Sequence, residues 1–220
     1  MVGKTDRCIV LDLDLTLIST QRQDVPLSVL TDLLKDVRSL PLRDRIYQFN
    51  IENYQGPGVG TIMPMWGIAR PHAKEFLSFC DQHFDKVVVW SAGKRPYVEH
   101  VVDFLFRDLR RPEVVYNHDM LDPNKGNGMV KTLTTILKEE SLTHLDLSKT
   151  LALDDNPGTF ADNTANGVLI PAYDPYLSID GFMADDKALP EFQKWLTSHD
   201  VTSCSDVRLL AKHQIFAYQA

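Results

Sequence analysis

Five short apolar runs, Cys8 to Leu13, Lys86 to Trp90, Glu113 to Tyr116, Lys149 to Leu153 and Val168 to Ile170, constrain this chain more than any other feature. They are too short for a globular helix and too uniformly apolar for a strand with one wet face. Such strands belong to parallel sheets covered on both sides. Helical spacing fills the intervals. Pro26 opens a pattern carrying Leu27, Leu30, Leu34 and Val37, and Pro71 one carrying Phe76, Leu77 and Phe79. Tyr97 to Leu109 carries Val98, Val101, Val102, Leu105 and Leu109, and Val130 to Glu140 carries Leu133, Ile136 and Leu137. Strands alternating with helices predict an α/β fold, doubly wound, with a mainly parallel central sheet and helices on both faces.

In such sheets ligands sit beyond the carboxyl ends of the strands, and there this chain places its carboxylates. The first run continues as Asp12-Leu13-Asp14-Leu15-Thr16-Leu17. If the backbone stays extended, Asp12, Asp14 and Thr16 share one face and the leucines pack on the other. Neighbouring carboxylates repel each other and an incoming phosphate, by about 4 kcal/mol per charge pair at ~4 Å and an effective dielectric near 20. A divalent cation with hard-oxygen ligands removes that repulsion, and Mg²⁺ fits a carboxylate plus a backbone carbonyl of the same turn. Asp12 is then the expected nucleophile, forming an aspartyl-phosphate, and Asp14 the general acid and base. A second acidic pair, Asp154-Asp155, leaves the run ending at Leu153, as a shared ion would require. Ser91, with Ala92 and Gly93 after it, offers a hydroxyl and amides to phosphate oxygens. Lys131, at the start of the helical pattern after Gly126-Asn127-Gly128, offers an ammonium to substrate phosphate or nucleophile.

These residues, in this order, resemble the motif set of the haloacid-dehalogenase superfamily, and within it the FCP/SCP phosphatases of the RNA polymerase II carboxy-terminal domain. The subgroup is further resembled by Arg70-Pro71-His72-Ala73-Lys74-Glu75-Phe76-Leu77 and by Asp154-Asp155-Asn156-Pro157-Gly158-Thr159-Phe160. The resemblance implies Asp12 as nucleophile and metal ligand, Asp14 as acid/base and metal ligand through its carbonyl, and Asp155, with Asp154 beside it, as the remaining metal carboxylate. It implies phosphate binding by Thr16, Ser91 and Lys131, and a substrate pocket lined by Tyr97. Asp155 stands where the family often has asparagine, which makes this site one charge more negative. Lys94 replaces an apolar residue of the pocket wall, which favours acidic or heavily phosphorylated substrates. A single phosphatase domain over 1–220 is expected, with insertions at about 21–66 and 114–129 and no large cap. The first insertion holds the helix from Pro26 and an exposed turn over Gln55 to Gly60.

Other chemistries lack their equipment. Gly3-Lys4-Thr5 imitates the end of a P-loop, but the loop's first glycine would precede Met1. No cysteine is followed by the anion-binding loop a thiolate phosphatase needs, and no Gly-x-Ser-x-Gly elbow is present. The net charge of -7 is dispersed and no basic run marks a nucleic-acid or membrane surface. No apolar stretch approaches ~20 residues, and Met1 to Arg7 has no hydrophobic signal run. With three cysteines, Cys8, Cys80 and Cys204, at unrelated spacings, an intracellular, soluble protein of cytoplasm or nucleus is expected. The expected activity is Mg²⁺-dependent hydrolysis of phosphoserine or phosphothreonine in a protein or peptide, the polymerase carboxy-terminal domain among the candidates. The alternatives are phosphatase action on nucleic-acid ends or small metabolites, and a non-catalytic binding module.

Overall fold

The computed structural model describes residues 4–21, 25–53, 56, 58–125 and 128–216. Its central sheet has five parallel strands: β1 (Cys8–Leu11), β5 (Lys86–Trp90), β6 (Val114–Tyr116), β7 (Thr150–Asp154) and β8 (Gly167–Leu169), in the order β6-β5-β1-β7-β8. All five expected strands are present, within a few residues of their apolar runs. Alternate side chains enter two cores, which explains why neither face could be polar. Ile9, Leu11, Val87, Val89, Leu151 and Leu153 pack beneath α2 (Ala73–His83), α3 (Arg95–Leu105) and α6 (Ala188–Leu196). Cys8, Val10, Val88, Trp90 and Ala152 pack on the other side with α4 (Leu133–Ile136) and Phe160.

A second sheet spans residues 18–69, overlapping the segment 21–66 expected as an insertion. Strands β2 (Ile18–Thr20), β3 (Ile46–Glu52) and β4 (Ile62–Ala69) run antiparallel in the order β2-β4-β3. Helices α1 (Leu27–Lys35) and α5 (Ile179–Met183) cover it through Leu30, Trp66, Ile68, Ile179 and Phe182. The remaining short helix, α7 (His199–Ser203), adds Val201 to the first core. Arg70 locks the two sheets to the C-terminal segment. Its buried guanidinium forms a two-pronged pair with Asp186, at 2.9 Å on each prong, and donates to the Thr16 carbonyl at 3.1 Å.

Several expectations are corrected. The first strand ends at Leu11, not Leu13, because the chain turns at Leu15, whose φ is +59°. Three successive amides, of Thr16, Leu17 and Ile18, donate to the Leu13 carbonyl, so residues 12–17 form a turn. The helix from Pro26 stops at Lys35, and Val37, 73% exposed, lies beyond the apolar stripe. The cause is Asp36, which is extended and whose carboxylate accepts from the Arg38 amide, starting a separate 3-10 turn. Only Leu133–Ile136 of the Val130 to Glu140 pattern is α-helical, in keeping with the weak helix propensity of Thr132, Thr134 and Thr135. Residues Val114–Tyr116 form an edge strand of the central sheet, so any insertion there begins after Tyr116. Gln55, Pro57, Gly126 and Asn127 of the two expected turns lie outside the described residues. Among the described residues no helix is long and apolar enough to cross a membrane.

Candidate active site

Three adjacent strands deliver the site. Leu11 pairs with Val89 and with Leu153 across the sheet, so Asp12 and Asp154 emerge side by side at the carboxyl ends of β1 and β7, with Ser91 just past the end of β5. The Asp12 amide still donates to the Leu153 carbonyl at 3.0 Å, which seats Asp12 in the sheet although its side chain is at the rim. One carboxylate oxygen from each of Asp12, Asp154 and Asp155 lies within 4.8 Å of the others. Ligand oxygens on one Mg²⁺ sit at most about 4.2 Å apart, twice the Mg–O distance of ~2.1 Å. Small side-chain rotations would bring all three onto one ion. The donor set is hard oxygen throughout, so the residues fit a divalent cation of the Mg²⁺ kind.

Lys131 stands between two of these carboxylates. Its buried ammonium lies 2.6 Å from Asp12 Oδ1 and 2.6 Å from Asp154 Oδ2. It is placed by an extended segment rather than a helix start: its amide donates to the Thr159 carbonyl, two residues before α4. Burial pulls the Lys131 ammonium downward in pKa, but the Asp12 and Asp154 charges outweigh it and hold it above the ordinary lysine value. Burial also pushes the Asp12 carboxyl up to about 7; Lys131 opposes that rise and the Asp154 charge adds to it. Burial, and then Asp154, raise Asp155. One ammonium is thus too little charge for the carboxylates gathered here, and a divalent ion would supply what is missing.

The expected shared face of Asp12, Asp14 and Thr16 does not form, because of the turn at Leu15. Thr16 is fully buried; its hydroxyl accepts from the Asp155 amide at 3.1 Å and lies 3.4 Å from Asp155 Oδ1. It fixes the loop that carries Asp155 and does not face a phosphate. The Asp14 side chain leaves the acidic cluster and accepts hydrogen bonds from the hydroxyls of Tyr97 and, at 3.0 Å, Thr20. Burial raises the Asp14 carboxyl above its ordinary range against the pull of those two hydroxyls. Tyr97, expected to line a substrate pocket, is 7% exposed with its hydroxyl committed to Asp14, so it supports that carboxylate instead. Lys94, expected on the same wall, is exposed at the N-cap of α3.

Ser91 borders the cleft together with Asp12, Asp14, Leu15, Met129 and Lys131. Its oxygen accepts the Gly93 amide at 3.0 Å, which leaves the hydroxyl proton to donate elsewhere. Asn156 completes the acidic loop. Its amide donates to Asp154 Oδ1 at 2.9 Å and its side chain accepts the Gly158 amide, so the turn is held by its own polar groups. Thr20 and Tyr47, which join Tyr97 at Asp14, had no place among the expected site residues. Tyr47 carried a readable signal: Tyr47, Phe49 and Ile51 alternate with Gln48, Asn50 and Glu52, the period of a half-buried strand.

The sequence pattern of the NLI interacting factor-like phosphatases matches this chain over residues 7–208. The fold is similar to that in "The Structure of Fcp1, an essential RNA polymerase II CTD phosphatase", with a TM-score of 0.58 and 18% identity over 78% of this chain and 43% of that one. It is similar, too, to a variant of the fission yeast RNA polymerase II CTD phosphatase Fcp1 bound to beryllium fluoride, with a TM-score of 0.59 and 19% identity over 86% of this chain and 49% of that one. The chain spans less than half the length of these solved structures. At such identities the likeness concerns the fold. No curated protein sequence matches the chain.

Proposed function

This chain belongs to the NLI interacting factor-like phosphatase family, within the haloacid-dehalogenase superfamily, and we propose that it hydrolyses phosphoserine or phosphothreonine in proteins through an aspartyl-phosphate on Asp12. The observation that carries this reading is the convergence of the Asp12, Asp154 and Asp155 carboxylates within 4.8 Å at the mouth of an open cleft. Mg²⁺ held by Asp12, Asp154, Asp155 and the Asp14 carbonyl would neutralise phosphate charge and polarise phosphorus. An Asp12 oxygen attacks phosphorus, the bond from phosphorus to the leaving oxygen breaks, and Asp14 gives that oxygen its proton. Asp14 then takes a proton from water as the water oxygen attacks phosphorus, which releases phosphate and restores the Asp12 carboxylate. Lys131 balances the Asp12 charge and draws in phosphate, while the Ser91 hydroxyl and the amides after it receive phosphate oxygens.

Leu15 and Met129 border the cleft and leave it open, which favours phosphate carried on a protein surface over an enclosed metabolite. The polymerase carboxy-terminal domain, which the similar Fcp1 structures name, is one substrate of this kind. Free cysteines throughout suit the reducing cytoplasm or nucleus. The test is turnover of an aryl phosphate in Mg²⁺, followed by competition among phosphoserine peptides, end-phosphorylated oligonucleotides and sugar phosphates. Asp12→Asn should abolish both turnover and acid-stable phosphoenzyme. Normal activity in Asp12→Asn refutes the nucleophile, and preference for oligonucleotide or sugar phosphate refutes the substrate class.

A further inference from the structure

Four hydroxyl and carboxyl groups from distant parts of the chain meet behind the cleft. Asp14 Oδ1 accepts from Tyr97 and Thr20; Thr20 Oγ1 also contacts the Tyr97 hydroxyl and lies 2.7 Å from the Tyr47 hydroxyl. Thr20 has one proton and gives it to Asp14, so Tyr47 donates to Thr20 and the chain of donors runs one way, Tyr47 to Thr20 to Asp14, with Tyr97 joining from the side. Both tyrosines are buried, and burial holds both phenols above their ordinary pKa, so both remain donors.

The fold makes room for this junction twice. Gly67 of β4 pairs with Thr20 on one side and Tyr47 on the other, so the three lie in one row across the second sheet. Tyr47 crosses the missing side chain of Gly67 to reach Thr20; a Cβ at Gly67 would overlap the Tyr47 hydroxyl and the Ser19 carbonyl. Tyr97, in the first turn of α3, lies likewise against Gly93, where a Cβ would strike its ring. Two strands of the second sheet and a helix thus build one junction, in which Thr20 and Tyr97 reach Asp14 Oδ1 and Tyr47 backs Thr20. Among the described residues, the side-chain donors that reach this carboxyl both bind Oδ1.

We infer that Tyr97, Thr20 and Tyr47 are positioning residues that pin Asp14 Oδ1 and thereby aim Oδ2, the oxygen that carries the transferred proton, into the cleft. Oδ1 is an acceptor whether Asp14 is protonated or ionised, so the same two donors, with Tyr47 behind Thr20, hold the group through both halves of the reaction. The inference rests on the proposed acid/base role of Asp14. It also accounts for the second sheet, whose central row supplies two of the three donors.

A positioned acid matters only when the leaving oxygen needs a proton. The test is therefore kcat/KM in Mg²⁺ for a phosphoserine peptide, whose alkoxide must be protonated, against 2,4-dinitrophenyl phosphate, whose phenolate leaves unaided. Tyr97→Phe and Thr20→Val should each lower the peptide value about 10- to 100-fold, a share of the 10²–10⁴ that general acid catalysis supplies, and the dinitrophenyl value less than about 3-fold. Peptide KM should stay within about 2-fold, Thr20→Ser should restore most of the rate, and Tyr47→Phe should show the same selectivity more weakly. Equal losses on both substrates, or none on the peptide, overturn the inference. Asp14→Asn separates this from the reading beneath it. If Asp14→Asn lacks leaving-group selectivity, the acid assignment has failed; if Asp14→Asn has it and Tyr97→Phe does not, the positioning has failed.

Discussion

Replacing Lys131 by methionine tests whether the site is built around a deficit of positive charge. Methionine keeps much of the stem and removes the ammonium that lies 2.6 Å from both Asp12 and Asp154. Unit charges at ~4 Å and an effective dielectric near 20 attract by about 4 kcal/mol, so two contacts are worth about 8 kcal/mol before desolvation. Desolvating the ammonium offsets part of this, and breaking a buried pair by removing one partner costs about 3–5 kcal/mol net. In a protein of 220 residues each kcal/mol moves Tm by about 2–4 °C, so Lys131→Met should lower Tm by about 6–20 °C in chelator at neutral pH. The carboxylates left behind relieve themselves by taking up protons, so the loss should shrink toward pH 5. A native-state ligand at 100 times its Kd stabilises by about 2.7 kcal/mol, and the extra negative charge should make the variant bind Mg²⁺ more tightly. Thermal scans with and without Mg²⁺ should show a larger gain in the variant than in the parent, so that the gap narrows, while phosphatase activity stays low for want of the cation that faces phosphate. A metal-free variant as stable as the parent, or an equal Mg²⁺ gain in both proteins, refutes the charge argument.

Because Asp12 titrates near 7 in the folded protein and near 3.8 when unfolded, the native state holds more protons in that window; this contribution is stabilising below it and is lost as pH rises through it. Asp14 and Asp155 shift in the same direction, so the Tm gain on adding Mg²⁺ should grow from pH 4 to 7, and a flat gain would contradict the shifts. Arg70→Met leaves Asp186 without its two 2.9 Å bonds and the Thr16 carbonyl without its donor, which should cost about 3–5 kcal/mol in urea denaturation; a loss under 1 kcal/mol would deny Arg70 its locking role. Asp155→Ala removes one carboxylate of the cluster and should raise the Mg²⁺ concentration for half-maximal activity at least tenfold, the scale of one missing ligand interaction of about 1.4 kcal/mol. An unchanged Mg²⁺ requirement would remove Asp155 from the ion.

The parallel sheet was legible because burial on two faces leaves a strand no freedom in composition. Val87, Val88 and Val89 are all buried although they point alternately into opposite cores. Local punctuation was harder to read: no glycine or proline announces the turn at Leu15, which is held by long-range bonds such as that from the Tyr173 amide to the Leu15 carbonyl. Extended-strand logic therefore assigned Thr16 to the cleft when the turn buries it behind Asp155. Tyr47, by contrast, lay on a visible alternation, and its meeting with Thr20 depended on Gly67 lying between them in register, a fact of pairing that spacing along one chain does not contain.

The charges of the cleft also bear on the order in which its parts must act. Asp12, Asp14, Asp154 and Asp155 are formally four negative charges, and Lys131 answers one of them. A divalent ion would reduce the remaining excess to a single negative charge, and a proton on Asp14 would remove that as well. A phosphate dianion then meets a site without net charge, whereas an ionised Asp14 would confront it with repulsion of about 4 kcal/mol at ~4 Å. On the proposed role of Asp14, the proton that the leaving oxygen would require would thus also be the one that admits the substrate. Burial raises the affinity of Asp14 for it, and the hydroxyls of Tyr97 and Thr20 hold Oδ1 without competing for Oδ2. Desolvation favours the protonated carboxyl and the two hydroxyls oppose it; burial wins, and the hydroxyls still fix which oxygen is left to face the cleft.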